Sequence, residues 1–198
     1  MNTKFLGDEI DHWKGSLILI LTRLKLISNF AVDPMVTNCQ RWSEENLQTY
    51  ERLLYLERNM ICHNGNPFLK GRQDYFAGIQ HEGDLFLDPD TGISIGRRVL
   101  RKHITIPEIC YLLNVNRKRV LMIYQHSARG NFRELLKKII DNRLKYDEGV
   151  LYYCVYEGGR VAMFFISQNR KRIQAIQNGL HLYINDQGRR GWGNGHIA

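Results

Sequence analysis

Val120-Leu121-Met122-Ile123-Tyr124 is a continuously apolar run with the length of a strand. Such a run predicts a central β-strand that is buried on both faces of a sheet. Strand signals come earlier at residues 29–32 and 84–87, and segments with helical periodicity lie between them. Because strands and helices alternate from residue 29 to residue 145, the sequence predicts an α/β fold. We expect a Rossmann-like three-layer sandwich with a mostly parallel sheet.

A glycine pair in the last quarter of the chain predicts a C-terminal antiparallel hairpin. Residues 151–156 and 161–166 flank Glu157-Gly158-Gly159-Arg160, and the two glycines suit a tight turn between antiparallel strands. A further strand is predicted at residues 180–184. The predicted helices cover residues 8–27, 43–61, 67–80, 105–113 and 131–145.

The length of 198 residues fits one domain, which we place at residues 1–186, with residues 43–80 as a helical insertion or lobe. Residues 187–198 are rich in arginine and glycine and predict a flexible tail. No apolar run is long enough to span a bilayer, the first residues lack a secretory signal pattern, and the four cysteines form no Cys-x-x-Cys pair. We therefore expect a cytoplasmic protein without a membrane partner, a zinc finger or a disulfide framework.

The chain is strongly basic, with 28 Lys and Arg residues against 20 Asp and Glu residues and a net charge of +8. The excess is concentrated between residues 97 and 145 and between residues 160 and 190. Clustered cations favour an anionic partner, and nucleic acid is the usual one because phosphate binding releases counterions. The alternative is that the charge serves solubility alone.

Polar side chains follow three of the predicted strands. Asp33 ends the first, Asp88 and Asp90 follow the second, and Gln125 and His126 end the third. Ligands of open α/β sheets bind at the carboxyl ends of strands, and carboxylates with an imidazole suit Mg²⁺ or Mn²⁺ and proton transfer. We predict metal ligation by Asp88 and Asp90 and catalytic roles for these two residues, His126 and Gln125. Further candidate metal ligands are Asp33, Asp8 and Asp11.

This pattern predicts a divalent-metal-dependent nuclease or phosphodiesterase. Cationic side chains near the strand ends and along the basic segments would hold phosphate groups. The candidates are Arg129, Arg97, Arg98, Arg117, Lys118, Arg119 and Lys14. The alternative is that residues 88–92 form only a well-made turn with side-chain-to-backbone hydrogen bonds.

Three short motifs resemble an uncharacterised family of bacterial proteins. They are FLGDEIDHWKG at residues 5–15, LFLDPDTGI at residues 85–93 and MIYQHSAR at residues 122–129. The resemblance brings no activity with it. It implies that one site contains Asp8, Asp11, Lys14, Asp88, Asp90, Gln125, His126 and Arg129.

Two other functions are compatible with the sequence. Residues 105–125 can be written as a helix-turn-helix, with Asn114-Val115-Asn116 as the turn and Arg117 to Arg119 opening a DNA-binding helix. The apolar run at residues 121–124 favours a buried strand instead. The Asp88-Pro89 turn after an apolar strand resembles the acidic-proline motif of Rossmann-like nucleic-acid methyltransferases. That resemblance implies a methyltransferase-like scaffold that binds partners without chemistry.

Overall fold

The computed structural model describes residues 1–66, 71–94, 102–126 and 150–186, together with Glu134. Its α-helices are α1 (Glu9–Arg23), α2 (Glu44–Leu54), α3 (Arg72–Ala77), α4 (Ile106–Val115) and α5 (Arg170–Asp186). Its strands are β1 (Ala31–Asp33), β2 (Leu85–Leu87), β3 (Gly92–Ser94), β4 (His103–Thr105), β5 (Val120–His126), β6 (Tyr152–Gly158) and β7 (Val161–Ser167). Several predictions fall outside the described residues: Arg97, Arg98, Arg129, the helix at 131–145, the tail at 187–198 and the first part of the helix at 67–80.

Five strands form one open sheet in the order β1-β2-β5-β7-β6. The pairs β1–β2 and β2–β5 are parallel, whereas β7 runs antiparallel to both β5 and β6. Four of the five strands therefore point in the same direction, and β7 alone is reversed. The prediction of an α/β fold with a mostly parallel sheet is confirmed. Strands β3 and β4 form a separate parallel pair.

Hydrophobic side chains from the sheet pack into two clusters. Phe86 and Met122 belong to one cluster, which contains buried residues of α1, α2 and α5. Leu85 and Leu121 belong to the other, which contains buried residues of α3 and α4. Neighbouring strand residues enter different clusters because successive side chains of a strand point to opposite faces. Full burial of a large apolar side chain contributes about 1.5–3 kcal/mol, so both faces stabilise the domain.

The helix starts follow the capping signals in the sequence. Asp8 accepts hydrogen bonds from the backbone of α1, and Ser43 Oγ accepts from Asn46 N at the start of α2. The predicted helix at 43–61 is too long, because Tyr55 adopts a left-handed conformation with φ of 56° and ends α2. No helix within the described ranges combines the length and apolar character needed to cross a bilayer.

The predicted strand at residues 180–184 is wrong, because these residues lie within α5. Ile173, Ile176 and Leu180 recur at a spacing of three and four residues and are buried in the same cluster. The helical periodicity extends over the whole segment and places these three side chains on one buried face of α5. It therefore outweighs the short apolar alternation at residues 180–184.

The structure also corrects the helix-turn-helix interpretation of residues 105–125. The first helix exists as α4, but residues 120–126 form β5, which pairs with β2 on one side and β7 on the other. Leu121 and Met122 are buried on opposite faces of the sheet. No face of this segment is left to enter a DNA groove as a second helix.

Candidate functional site

A cavity of about 320 Å³ lies at the edge of the sheet where β2 and β5 end. Three segments supply most of its polar wall: the first turns of α1, the loop after β2 and the end of β5. The side chains are those of Asp8, Asp11, Lys14, Asp88, Asp90 and His126. This is the crevice in which open α/β sheets bind ligands, and its volume is in the range of small-molecule sites. Sequence motifs that lie far apart in the chain therefore meet at one place.

Lys14 is a buried cation between two buried carboxylates. Its Nζ atom lies 3.0 Å from Asp11 Oδ1 and 2.9 Å from both oxygens of Asp88. The side chains of Lys14, Asp11 and Asp88 are 3%, 0% and 1% exposed. The Tyr50 hydroxyl donates a further hydrogen bond to Asp88 Oδ2 at 2.8 Å. One ammonium group thus serves two carboxylates in a place where an unpaired charge would be very costly.

The protonation of this cluster follows from burial and close charges. Burial alone would lower the pKa of Lys14, but the Asp88 and Asp11 carboxylates more than offset it and the pKa is raised. Burial raises the pKa of Asp11, against the opposing charge of Lys14. Burial, followed by the charge of Asp88, raises the pKa of Tyr50 well above its ordinary value. Tyr50 therefore stays protonated and donates to Asp88.

His126 is the candidate acid–base group of the cavity. Its Nδ1 atom lies 3.1 Å from the Tyr124 hydroxyl, and no described residue hydrogen-bonds its Nε2 atom. Lys14 Nζ lies 4.3 Å from the centre of the Tyr124 ring, a cation–π contact. Burial, followed by the charge of Asp88, raises the pKa of Tyr124. The neutral phenol can accept from or donate to Nδ1, so either tautomer of His126 is supported.

Gln125 fixes the backbone beside the cavity, and its side chain does not line the cavity. Its Oε1 atom accepts from Ile93 N at 2.8 Å, and its Nε2 atom donates to the carbonyls of Thr91 at 2.8 Å and His126 at 2.9 Å. Its amide is thus engaged with the backbone, and we assign Gln125 a positioning role instead of the predicted catalytic one. Gly92, with φ of 105°, passes close beside this amide.

Replacing Gly92 by alanine should lower the free energy of unfolding by about 1–3 kcal/mol, because the new Cβ would both strain the backbone and overlap the Gln125 amide. Urea unfolding followed by circular dichroism measures the loss. Gly7→Ala is the matched control, since Gly7 has φ of 92° but nothing within 4 Å of its Cβ position. Equal losses in the two variants would show that Gln125 does not restrict this loop.

Asp8 and Asp90 are the cavity carboxylates outside the Lys14 cluster. Asp8 Oδ1 caps α1 by accepting from the backbone of Ile10 and Asp11, and no described residue hydrogen-bonds its Oδ2 atom. Asp90 Oδ2 accepts from the Thr37 hydroxyl at 2.7 Å, and its Oδ1 atom lies 3.4 Å from the Met1 amine. These two carboxylates are the better placed to meet a ligand.

Four further predicted site residues lie away from the cavity: Arg117 and Lys118 are exposed in the turn before β5, whereas Asp33 and Arg119 are buried. Asp33 is fully buried, and its carboxylate accepts from the Tyr75 hydroxyl at 2.7 and 2.8 Å and from Met35 N at 2.8 Å. Arg119 is buried too, and its guanidinium donates to the carbonyls of Gly83, Leu112 and His81. Neither side chain reaches the cavity. Arg119 is therefore not available to bind phosphate, contrary to the prediction.

Within the described ranges, no group of three or more His, Cys, Asp or Glu side chains is arranged to hold a metal ion. The Lys14 ammonium occupies the space between the Asp11 and Asp88 carboxylates, which is where a metal ion bound to both of them would lie. Of the five predicted metal ligands, this leaves Asp8 and Asp90. Ligation of Mg²⁺ or Mn²⁺ stays a prediction.

No protein-family model, curated protein or solved structure matches the chain. The chemistry of the cavity is therefore inferred from its own side chains, some of which sequence reasoning missed. Tyr50 and Tyr124 looked like core residues, because each lies in an apolar pattern. Lys102, the residue before β4, also lines the cavity, and no sequence motif marks it. Tyr124 and His126 are two residues apart on one strand, so their side chains point to the same face of the sheet. This spacing was the sequence signal that could have identified Tyr124 as a neighbour of His126.

Proposed function

We propose that the protein is a cytoplasmic enzyme that cleaves phosphodiester bonds, with nucleic acid as the substrate class. The observation that carries this proposal is the His126 imidazole, which lines a carboxylate-rich cavity at the carboxyl edge of the sheet and is held through Nδ1. A histidine held through one nitrogen and open at the other is the common arrangement of a general base. The net charge of +8 supports a polyanionic substrate.

His126 would activate water for attack on phosphorus. When Nδ1–H donates to the Tyr124 hydroxyl, Nε2 is unprotonated and takes a proton as the water oxygen bonds to phosphorus. The bond from phosphorus to the leaving oxygen then breaks, that oxygen takes a proton from solvent water, and His126 returns its proton to solvent. The exposed Lys102 at the cavity wall would offset the charge on the phosphoryl oxygens.

Carboxylates at the start of α1 and after β2 would hold a divalent cation beside a substrate phosphate. Magnesium commonly binds one or two carboxylates together with substrate phosphates, so a preformed cage of three protein ligands is not required. Asp8 and Asp90 are the residues that would hold Mg²⁺ or Mn²⁺, and the ion would supply further charge stabilisation. Asp88, enclosed by Lys14 and Tyr50, would act as a support for Lys14.

The test is a cleavage assay on labelled single-stranded DNA, single-stranded RNA and duplex DNA, with added Mg²⁺, Mn²⁺ or EDTA. His126→Ala should lower the cleavage rate by about 10²–10⁴-fold, the usual contribution of a general base. His12→Ala is the matched control, because His12 is exposed on α1 and its side chain does not line the cavity. Tyr124→Phe should shift the pH–rate profile by removing the partner of Nδ1.

Two results would contradict this function. The first is that the wild-type protein cleaves none of the three substrates under any metal condition. The second is that His126→Ala cleaves as fast as His12→Ala while both remain folded by far-UV circular dichroism. Calorimetric titration with Mg²⁺ and Mn²⁺ of wild type and of Asp8→Asn/Asp90→Asn tests the metal part separately, and asparagine keeps the α1 cap.

A methyltransferase-like scaffold is the second candidate. We infer from the helix-bearing clusters on both sheet faces a Rossmann-like three-layer arrangement, closed at its end by the β6–β7 hairpin. The Asp88-Pro89 dipeptide directly follows β2, which is the place that the acidic-proline motif of Rossmann-like methyltransferases would take. Fold likeness alone does not establish activity. Nucleic-acid binding without cleavage, unaffected by His126→Ala, would favour this scaffold.

A further inference from the structure

The end of the sheet opposite the cavity carries a cluster of exposed cations. Strand β5 begins there and ends at the cavity, and α1 runs the other way, beginning at the cavity. Three segments that are far apart in the chain contribute to the cluster: the end of α1, the turn before β5 and the first turn of α5. We call it the basic edge, and its members are Arg23, Lys25, Arg117, Lys118, Arg170 and Lys171.

Direct contacts hold these three segments together. Gln168 Nε2 donates to Asn114 Oδ1 at 2.8 Å, which joins the approach to α5 to the end of α4. Ser167 Oγ donates to Arg119 O at 2.7 Å, beside the turn that carries Arg117 and Lys118. The third link is Arg172, which donates to the Leu26 carbonyl at 3.3 Å and so fastens the end of α1 to α5. The basic edge is therefore a fixed surface of the fold.

The cations of the basic edge are not neutralised by the protein. All six are exposed, and none has a carboxylate within 4 Å among the described residues. Asp84 lies at this edge, but it is buried and bound by Arg172 at 2.6 Å. Glu82 lies near the basic edge, because its backbone carbonyl accepts a hydrogen bond from the Asn116 side chain. Its own side chain adds one exposed carboxylate. The surface keeps a strong positive charge.

The placement of Arg170 and Lys171 is unfavourable for the protein alone. The N-terminus of a helix carries a partial positive charge, and acidic residues normally occupy its first turn. The first turn of α5 contains no acidic residue and begins Arg170-Lys171-Arg172. Cationic side chains at this position are repelled by the helix dipole, whereas a bound anion would interact favourably with both the side chains and the helix end.

We propose that the basic edge is a binding surface for the phosphodiester backbone of nucleic acid, separate from the cavity. Six cations spread over three elements match a run of phosphates better than a single anion. Amide side chains at residues 114, 116 and 168 lie among them. Two apolar side chains, Leu24 at 40% and Val115 at 58% exposure, also lie nearby. They are too few for a membrane-inserting face, which needs a continuous apolar stripe. The proposal does not depend on the cavity being catalytic.

The test measures binding of fluorescein-labelled DNA and RNA by anisotropy over a range of salt concentrations. Arg117→Gln/Lys118→Gln and Arg170→Gln/Lys171→Gln should each weaken binding and reduce the slope of log K against log salt by about two for duplex DNA. The matched control is Arg41→Gln/Arg52→Gln, which removes two exposed cations from outside the basic edge. It should leave the slope unchanged.

Three results would overturn the basic edge as a nucleic-acid surface. They are no binding by the wild type, an equal loss in the control pair, or edge-dependent binding to phosphatidylserine vesicles with none to nucleic acid. His12→Ala, which lies outside both the basic edge and the cavity, should bind as the wild type does. Edge-dependent binding without cleavage by the wild type would overturn the proposed enzymatic function alone, so the two proposals can fail separately.

Discussion

Lys14→Met should lower the free energy of unfolding by about 3–5 kcal/mol, the usual cost of removing one partner from a buried ion pair. Methionine fills a similar volume, so the loss would come from Asp11 and Asp88, which would remain buried without their cation. Urea unfolding at neutral pH measures it. Lys118→Met is the control, because Lys118 is exposed and its replacement should change stability by less than about 0.5 kcal/mol.

The pH dependence of this variant has a definite sign. Without Lys14, burial and then the nearby Asp88 carboxylate would raise the folded-state pKa of Asp11 further above its value in the unfolded chain. Between the unfolded-state and folded-state pKa values, the folded state would bind more protons than the unfolded state does. The free energy of unfolding would therefore rise as the pH is lowered from 7 through this interval. The triple variant Lys14→Met/Asp11→Asn/Asp88→Asn should recover much of the loss. A Lys14→Met protein as stable as wild type at neutral pH would contradict the buried ion pair.

Arg119→Met should lower the free energy of unfolding by about 3 kcal/mol, because one buried and two partly buried carbonyl groups would lose their donor. Arg119 joins the loop before β2 to α4 at the start of β5, so its loss affects the middle of the sheet. Arg117→Met, two residues earlier and exposed, should change stability little. Chemical unfolding compares the two variants.

Binding to nucleic acid should reverse this order. Measured under conditions where both variants are folded, Arg119→Met should bind as the wild type does, whereas Arg117→Met should bind more weakly. A stable Arg119→Met protein with weak binding would show that Arg119 contacts phosphate directly, which its burial in the structure argues against.

The central strands could be predicted because their sequences are continuously apolar, and this pattern has few solutions other than a strand covered on both faces. The end of the chain was harder. Residues 180–184 show a local alternation that only the longer helical period of α5 overrides. The end of α2 depends on the positive φ of Tyr55, a residue type that gives no warning of a left-handed conformation.

The candidate site was predictable in membership but not in roles. Strand ends and short motifs pointed to Asp88, Asp90 and His126, and these residues do line one cavity. The motif resemblance implied that Lys14 and Asp88 share a site, but Lys14 was predicted to hold phosphate. That its ammonium is instead paired with Asp88 depends on how α1 packs against the sheet, which the sequence does not reveal. Asp33 and Arg119 show the same limit, since a polar residue at a strand end is equally suited to bond the backbone.

Strand β5 connects the two ends of the molecule and sets a length. Its seven residues span about 20 Å from the basic edge to the cavity. A nucleic acid anchored at one end and cut at the other would be measured by this strand, at about six base pairs of duplex rise. If both proposals hold, the protein would cut at a fixed distance from the phosphates that it binds, and the cleavage products would extend by a constant length beyond the bound segment.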